Sequence, residues 1–75
     1  DVYKRQMLHF GSASVSFEEV RTDRHDWGLK PSQLYHRKNE MPFAVRRKGG
    51  RLFLTNAENL ILSEGDSVIF AQIND

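Results

Sequence analysis

The sequence contains no cysteine, two prolines and a single tryptophan among its 75 residues. Without a thiol, neither a disulfide nor a thiolate-held metal can brace so short a chain. A domain of this size buries only about 60–65% of its unfolded surface, so a partner subunit or a parent polypeptide is expected. An excess of charge of one sign is also missing. Eleven basic residues stand against ten acidic ones, a net charge of +1, so whole-chain attraction to nucleic acid or anionic membrane is weak. No apolar run approaches the roughly 18 residues of a membrane-spanning helix, and a reducing, cytoplasmic setting is the expectation. A nucleophile elbow, a P-loop and a dinucleotide fingerprint are lacking. His9, His25 and His36 are too widely spaced to form a helical metal pair. The chain therefore reads as a module that binds or docks, not an enzyme, with no catalytic residue, cofactor or metal centre.

What is present lies mostly in the last third. Between Phe43 and Asn56 two apolar runs flank Lys48-Gly49-Gly50-Arg51, followed by Leu60 to Phe70; a Gly-Gly pair supplies the positive φ angles of a tight hairpin. Glu64-Gly65-Asp66 marks a second turn, with Asp66 accepting hydrogen bonds from its own turn, and Ser67 to Ile73 reads as a closing strand. Upstream, Val15 to Val20 alternates as a half-buried strand. Leu8 to Ser14, loosened by Gly11, Ser12 and Ser14, reads as a connection. Pro31 suits a first helical position, and Pro42 disfavours helical geometry at Met41; a short helix is therefore predicted near residues 31–38, turning Leu34 inward. Trp27 is expected to pack against the β unit. The fold class is α+β, a small mainly antiparallel sheet in β-α-β-β-β order.

If Gly49 and Gly50 alone form the turn, Val45 opposes Leu54, Arg47 opposes Leu52 and Arg46 opposes Phe53. Opposed residues share a sheet face, so Phe43, Val45, Leu52 and Leu54 form the core side. A one-residue change in turn length exchanges the faces. The predicted buried set is Val45, Leu52, Leu54, Leu62, Val68 and Phe70, and Leu54→Ala is expected to cost roughly 2–4 kcal/mol. Phe53 falls on the otherwise polar face. It either packs under a loop or serves as a subunit contact or ligand platform, which makes it the interface candidate. The basic tip Arg46-Arg47-Lys48 with Arg51 is either a solvated end or a seat for an anion, since arginine forks suit planar bidentate contacts.

Ala44-Val45-Arg46-Arg47-Lys48-Gly49, Asn56 and Leu62-Ser-Glu-Gly65-Asp66 with Val68-Ile-Phe70 resemble the C-terminal subdomain of regulator of potassium conductance proteins, the TrkA-C domain. Gly28 to Leu34 corresponds to the start of that family's short helix, and the resemblance covers roughly residues 15–73. It implies a cytoplasmic regulatory domain of a potassium or other cation channel or transporter, working as a homodimer behind a Rossmann-like subdomain. Gating would follow the binding of a small effector, such as a cyclic dinucleotide, at a dimer seam. Arg47 and Asn56 are the implied effector contacts, and no nucleic acid is expected. The alternative is a small basic-tipped β module that contacts nucleic acid or a protein partner. Asp1-Val-Tyr-Lys-Arg-Gln6 resembles the translated end of a sequencing adapter and on that reading is an artefact; without it the formal charge falls to zero. On this reading residues 7–14 are a linker and residues 15–75 one RCK-C-like domain, a fragment of a longer chain.

Overall fold

The computed structural model describes residues 5–11, 14–34, 36–54 and 60–74. Five strands form one sheet: β1 (Arg5–Gly11), β2 (Val15–Arg21), β3 (Glu40–Arg46), β4 (Leu52–Leu54) and β5 (Ser67–Ile73). Their order is β1-β2-β5-β3-β4, and every pairing is antiparallel. The chain is thus an all-antiparallel β fold, which corrects the α+β expectation. Where the helix was predicted there is a single 3₁₀ turn, Pro31–Gln33. Its amides donate three residues back, Gln33 to the Lys30 carbonyl at 2.9 Å and Leu34 to that of Pro31 at 3.2 Å, and Leu34 is already extended at ψ 144°. Proline starts the turn, but a helix this short needs an apolar stripe packed against the core. The segment offers little beyond Leu34, which the turn lowers into the core.

The N-terminal stretch also departs from expectation. Residues 5–11, assigned to the adapter-like segment and the connection, form β1 and pair with β2 from Arg5↔Val20 to Leu8↔Phe17. Gly11, which suggested a loop, lies beyond a register shift that follows Leu8.

The β3–β4 hairpin is one residue out of the expected register. Its pairs are Ala44↔Leu54, Val45↔Phe53 and Arg46↔Leu52. The loop holds three residues, Lys48 to Gly50, closed by the Arg47 amide on the Arg51 carbonyl at 2.8 Å and the Gly50 amide on the Arg47 carbonyl at 2.9 Å. Gly49 and Gly50 have φ of +86° and +85°, values that side-chain-bearing residues avoid. The extra residue exchanges the faces of β4: Leu52 and Leu54 are 56% and 57% exposed, and Phe53 takes the side of fully buried Val45. Phe43, also expected in the core, sits at a register shift between Pro42 and Ala44 and is 46% exposed. It meets Phe17 edge-on, ring centres 5.2 Å apart.

The core is Val20, Leu34, Val45, Leu62, Val68 and Phe70, with Leu60 packed against it. Val20 and Val45 both pair with Val68, so these valines lie on one face, and Leu34 and Leu62 reach it from the connecting segments. Those segments are tied together by the Gly28 amide on the Leu62 carbonyl at 2.9 Å and the Leu62 amide on that of Leu29 at 2.8 Å. Trp27 stays 37% exposed. Because Leu54 lies in solvent, Leu54→Ala should change stability by no more than about 0.5 kcal/mol instead of the 2–4 expected from sequence. Urea denaturation of the variant checks that register directly.

Candidate functional site

The hairpin loop arches toward the turn that precedes β5, and the two enclose an open cleft of about 290 Å³ lined by Arg47, Lys48, Arg51, Phe53, Ser63, Glu64 and Asp66. One wall is fixed by Asp66, which is 1% exposed. Its carboxylate accepts from the Ser63 amide at 2.8 Å and the Ser63 hydroxyl at 3.4 Å. Its carbonyl takes the Thr22 amide and hydroxyl at 3.1 and 2.6 Å. Asp66 therefore caps its own turn, as its sequence position suggested, and also anchors the end of β2.

Arg47 spans the cleft. Its guanidinium donates to the Ile61 carbonyl at 3.0 Å and the Ser63 hydroxyl at 3.4 Å, approaches the Asp66 carboxylate at 3.5 Å and lies 5.9 Å from the Phe53 ring centre. These contacts lock the planar fork in place. Lys48 drapes over the opposing turn, so close that a Cβ on Gly65 would lie 2.6 Å from the Lys48 Cγ. Gly65 itself holds φ +90°. Lys48 and Arg51 are exposed and make no ion pair among the described residues. The cleft thus has an arginine held rigid by its walls and two cations free to meet a ligand, facing the single exposed carboxylate of Glu64.

Of the residues singled out from sequence, Arg47 and Phe53 both line this cleft. Phe53 is placed beneath Arg47 on the core-side face, not on the polar face assigned to it. Asn56 lies outside the described residues. Ser63 and Glu64 were not anticipated as lining residues, because their approach to the hairpin is tertiary and leaves no local signature.

A second charged cluster, also unanticipated, lies at the other end of the sheet. Glu40 has a fully buried side chain. Its carboxylate accepts from Arg5 at 3.2 and 3.3 Å and from the Arg37 amide at 2.8 Å, with the Arg37 guanidinium 3.8 Å away. Glu18 completes the group, paired with Arg5 and, at 3.4 Å, with Arg37. Burial works against the Glu40 charge, but the Arg5 hydrogen bond, the Arg37 amide and the two guanidinium charges outweigh it and hold the carboxyl below its usual range. His36 bonds the Leu34 carbonyl at 2.8 Å and stacks on Phe70 at 5.7 Å. Among the described residues every buried polar side-chain atom has a partner, while the Arg37 side chain stays half-exposed. Among the described residues no group of three His, Asp or Glu is placed to hold a metal and no helix is long and apolar enough to cross a membrane.

Fold and cleft together define a small antiparallel β module with a basic mouth at one hairpin tip. No family model matches the chain, and no curated protein or solved structure matches it either.

Proposed function

We propose that the chain is a non-catalytic binding module that holds a phosphate- or carboxylate-bearing small molecule in the cleft under the β3–β4 tip. The observation that carries this reading is the division of labour among its cations. Arg47 is committed to Asp66, Ser63 and Ile61, whereas Lys48 and Arg51 enter the cleft with only Glu64 to offset them. An anion seated there gains charge-assisted hydrogen bonds without first breaking a resident ion pair. Phe53 supplies an apolar floor against which a ring or an aliphatic stem packs.

Calorimetric titration at low ionic strength tests this, with inorganic phosphate and then a cyclic dinucleotide as probes. Saturable binding is expected, weakened about tenfold or more by Lys48→Ala/Arg51→Ala, since losing about 1.4 kcal/mol of contact energy is a factor of ten. Absence of binding, or binding indifferent to that double substitution, would sink the reading. An RNA oligomer bound with a steep salt dependence would instead favour the nucleic-acid alternative.

A second reading, regulation of a cation channel or transporter in the cytoplasm, rests on the resemblance to TrkA-C domains. One observation favours it: the two stretches that carry the resemblance, Arg46 to Gly49 and Leu62 to Asp66, meet at this cleft through Arg47 and Asp66. An effector held there would shift a channel between states by its differential affinity for them. The helix that the resemblance implied is a single turn, and for that reason this reading ranks second.

A further inference from the structure

The β3–β4 hairpin joins positive charge to exposed apolar side chains within one short segment. From Arg46 to Leu54 the chain reads Arg-Arg-Lys-Gly-Gly-Arg-Leu-Phe-Leu, four cations and three large apolar residues with no carboxylate among them. Arg46 is held by the Glu19 carboxylate at 3.0 Å and Arg47 approaches that of Asp66 at 3.5 Å. Lys48 and Arg51 are exposed and face only Glu64 across the cleft. The whole-chain charge of +1 hides this local excess. β4 ends the sheet in the strand order, and successive side chains along a strand point to opposite faces. Leu52, Phe53 and Leu54 are nevertheless 56%, 40% and 57% exposed. The edge strand therefore turns apolar surface to solvent on both of its faces.

We propose that this edge docks on the surface of an anionic membrane, with lipid phosphates meeting Lys48 and Arg51 and the β4 side chains lodged where headgroups meet acyl chains. Docking of this kind rests on the reading of the cleft as an anion seat, and it gives that anion a source, a lipid headgroup. The hairpin lies edge-down along the interface and does not enter tip-first, because the cations of the loop precede the leucines and would otherwise reach the hydrocarbon before them. Immersing β4 alone takes about one strand spacing, ~4.8 Å, close to the shallow end of the ~5–10 Å to which interfacial elements sink. Arg46, paired with Leu52 on the next strand, then stays at headgroup level. Exposure of both faces selects a membrane over a folded partner: a protein surface laid against a strand covers one face, whereas a fluid interface closes around an edge and covers both. The side-chain types select it over nucleic acid, since Leu52 and Leu54 offer no ring on which a base stacks. Charge then chooses among membranes. Basic residues beside apolar ones favour anionic lipid, by about fivefold in affinity for each Lys or Arg at the surface.

Co-sedimentation of the full chain with phosphatidylcholine vesicles, with and without phosphatidylserine, tests the proposal. Retention is expected on the anionic vesicles only, and it should weaken as salt rises. Leu52→Ser/Leu54→Ser, both at exposed positions, should lower vesicle affinity about tenfold or more while circular dichroism stays that of the parent and inorganic phosphate still titrates the cleft. Lys48→Ala/Arg51→Ala should lower it about 25-fold, fivefold for each cation. Absence of retention on anionic vesicles overturns the proposal, as does equal retention on phosphatidylcholine alone or retention that tolerates the leucine substitutions. Binding of an RNA oligomer in place of vesicles overturns it too. In each of these cases calorimetry with inorganic phosphate decides the cleft separately. If the double leucine variant fails to fold, Leu54→Ser alone decides.

Discussion

Replacing Phe70 with alanine should cost about 3–5 kcal/mol and bring the chain close to unfolding. The ring is fully buried on β5, the strand that pairs with both β2 and β3. It is contacted from several directions: Pro42 and Glu18 oppose it on the flanking strands, His36 stacks at 5.7 Å, and the Arg5 guanidinium lies 5.8 Å from its centre. These neighbours are held by separate strands and loops, so the space left by the ring cannot collapse cheaply. A chain of this length has about 4–11 kcal/mol of total stability, and the loss is a large part of it. Urea denaturation measures it; a change below about 1 kcal/mol would mean that the core is centred elsewhere.

The second large effect is electrostatic. Arg5→Ala should destabilise the fold by about 3 kcal/mol, near the lower end for breaking a buried pair, because Arg37 remains beside the stranded Glu40 carboxylate. A chain beginning at Met7 loses the same guanidinium and should behave alike. The sign of the pH dependence follows from the lowered Glu40 pKa. The unfolded chain takes up the Glu40 proton near 4.5, the folded one only at lower pH. The stabilisation is therefore complete above that value and is lost as pH falls through the folded-state pKa. Glu40→Gln should be less stable than the parent at neutral pH, with the gap narrowing on acidification. A gap that stays constant from pH 7 to pH 3 would show that Glu40 acts through shape, not charge.

Much of the sheet was legible in the sequence, because period-two patterning and glycine turns are local. Strand β2, the hairpin, the Ser63–Asp66 turn and β5 were all marked in this way, as was the burial of Val45, Leu62, Val68 and Phe70. The misreadings have specific physical causes. Two adjacent glycines satisfy a two-residue and a three-residue loop equally well, so they did not fix the register, and Leu52, Leu54 and Phe53 changed face with it. Pro42 has no amide for the ladder, and the register shift beside it turned Phe43 outward without any other signal. The helix expectation relied on Pro31 as a start, but a good start does not supply the apolar face that sustains a helix. Strand β1 (Arg5–Gly11) leaves no clear local signal, because its first two residues belong to the adapter-like stretch and Gly11 at its end is a residue type common in loops. At the cleft, Arg47 was anticipated through the resemblance; its partners Ser63 and Asp66 lie sixteen and nineteen residues away, brought close only by folding. Glu40 was passed over for the same reason, since its partners come from β1 and from the loop before β3.

The most direct test of the cleft's role is a residue-resolved map of amide chemical-shift changes during titration with inorganic phosphate. Saturable shifts should concentrate at Lys48 to Arg51 and at Ser63 to Gly65, the two turns that form the mouth, and should disappear in Lys48→Ala/Arg51→Ala. No saturable shift at either turn, or shifts centred on the exposed face around Phe43 and Ile73 instead, would contradict an anion-holding cleft at the hairpin tip.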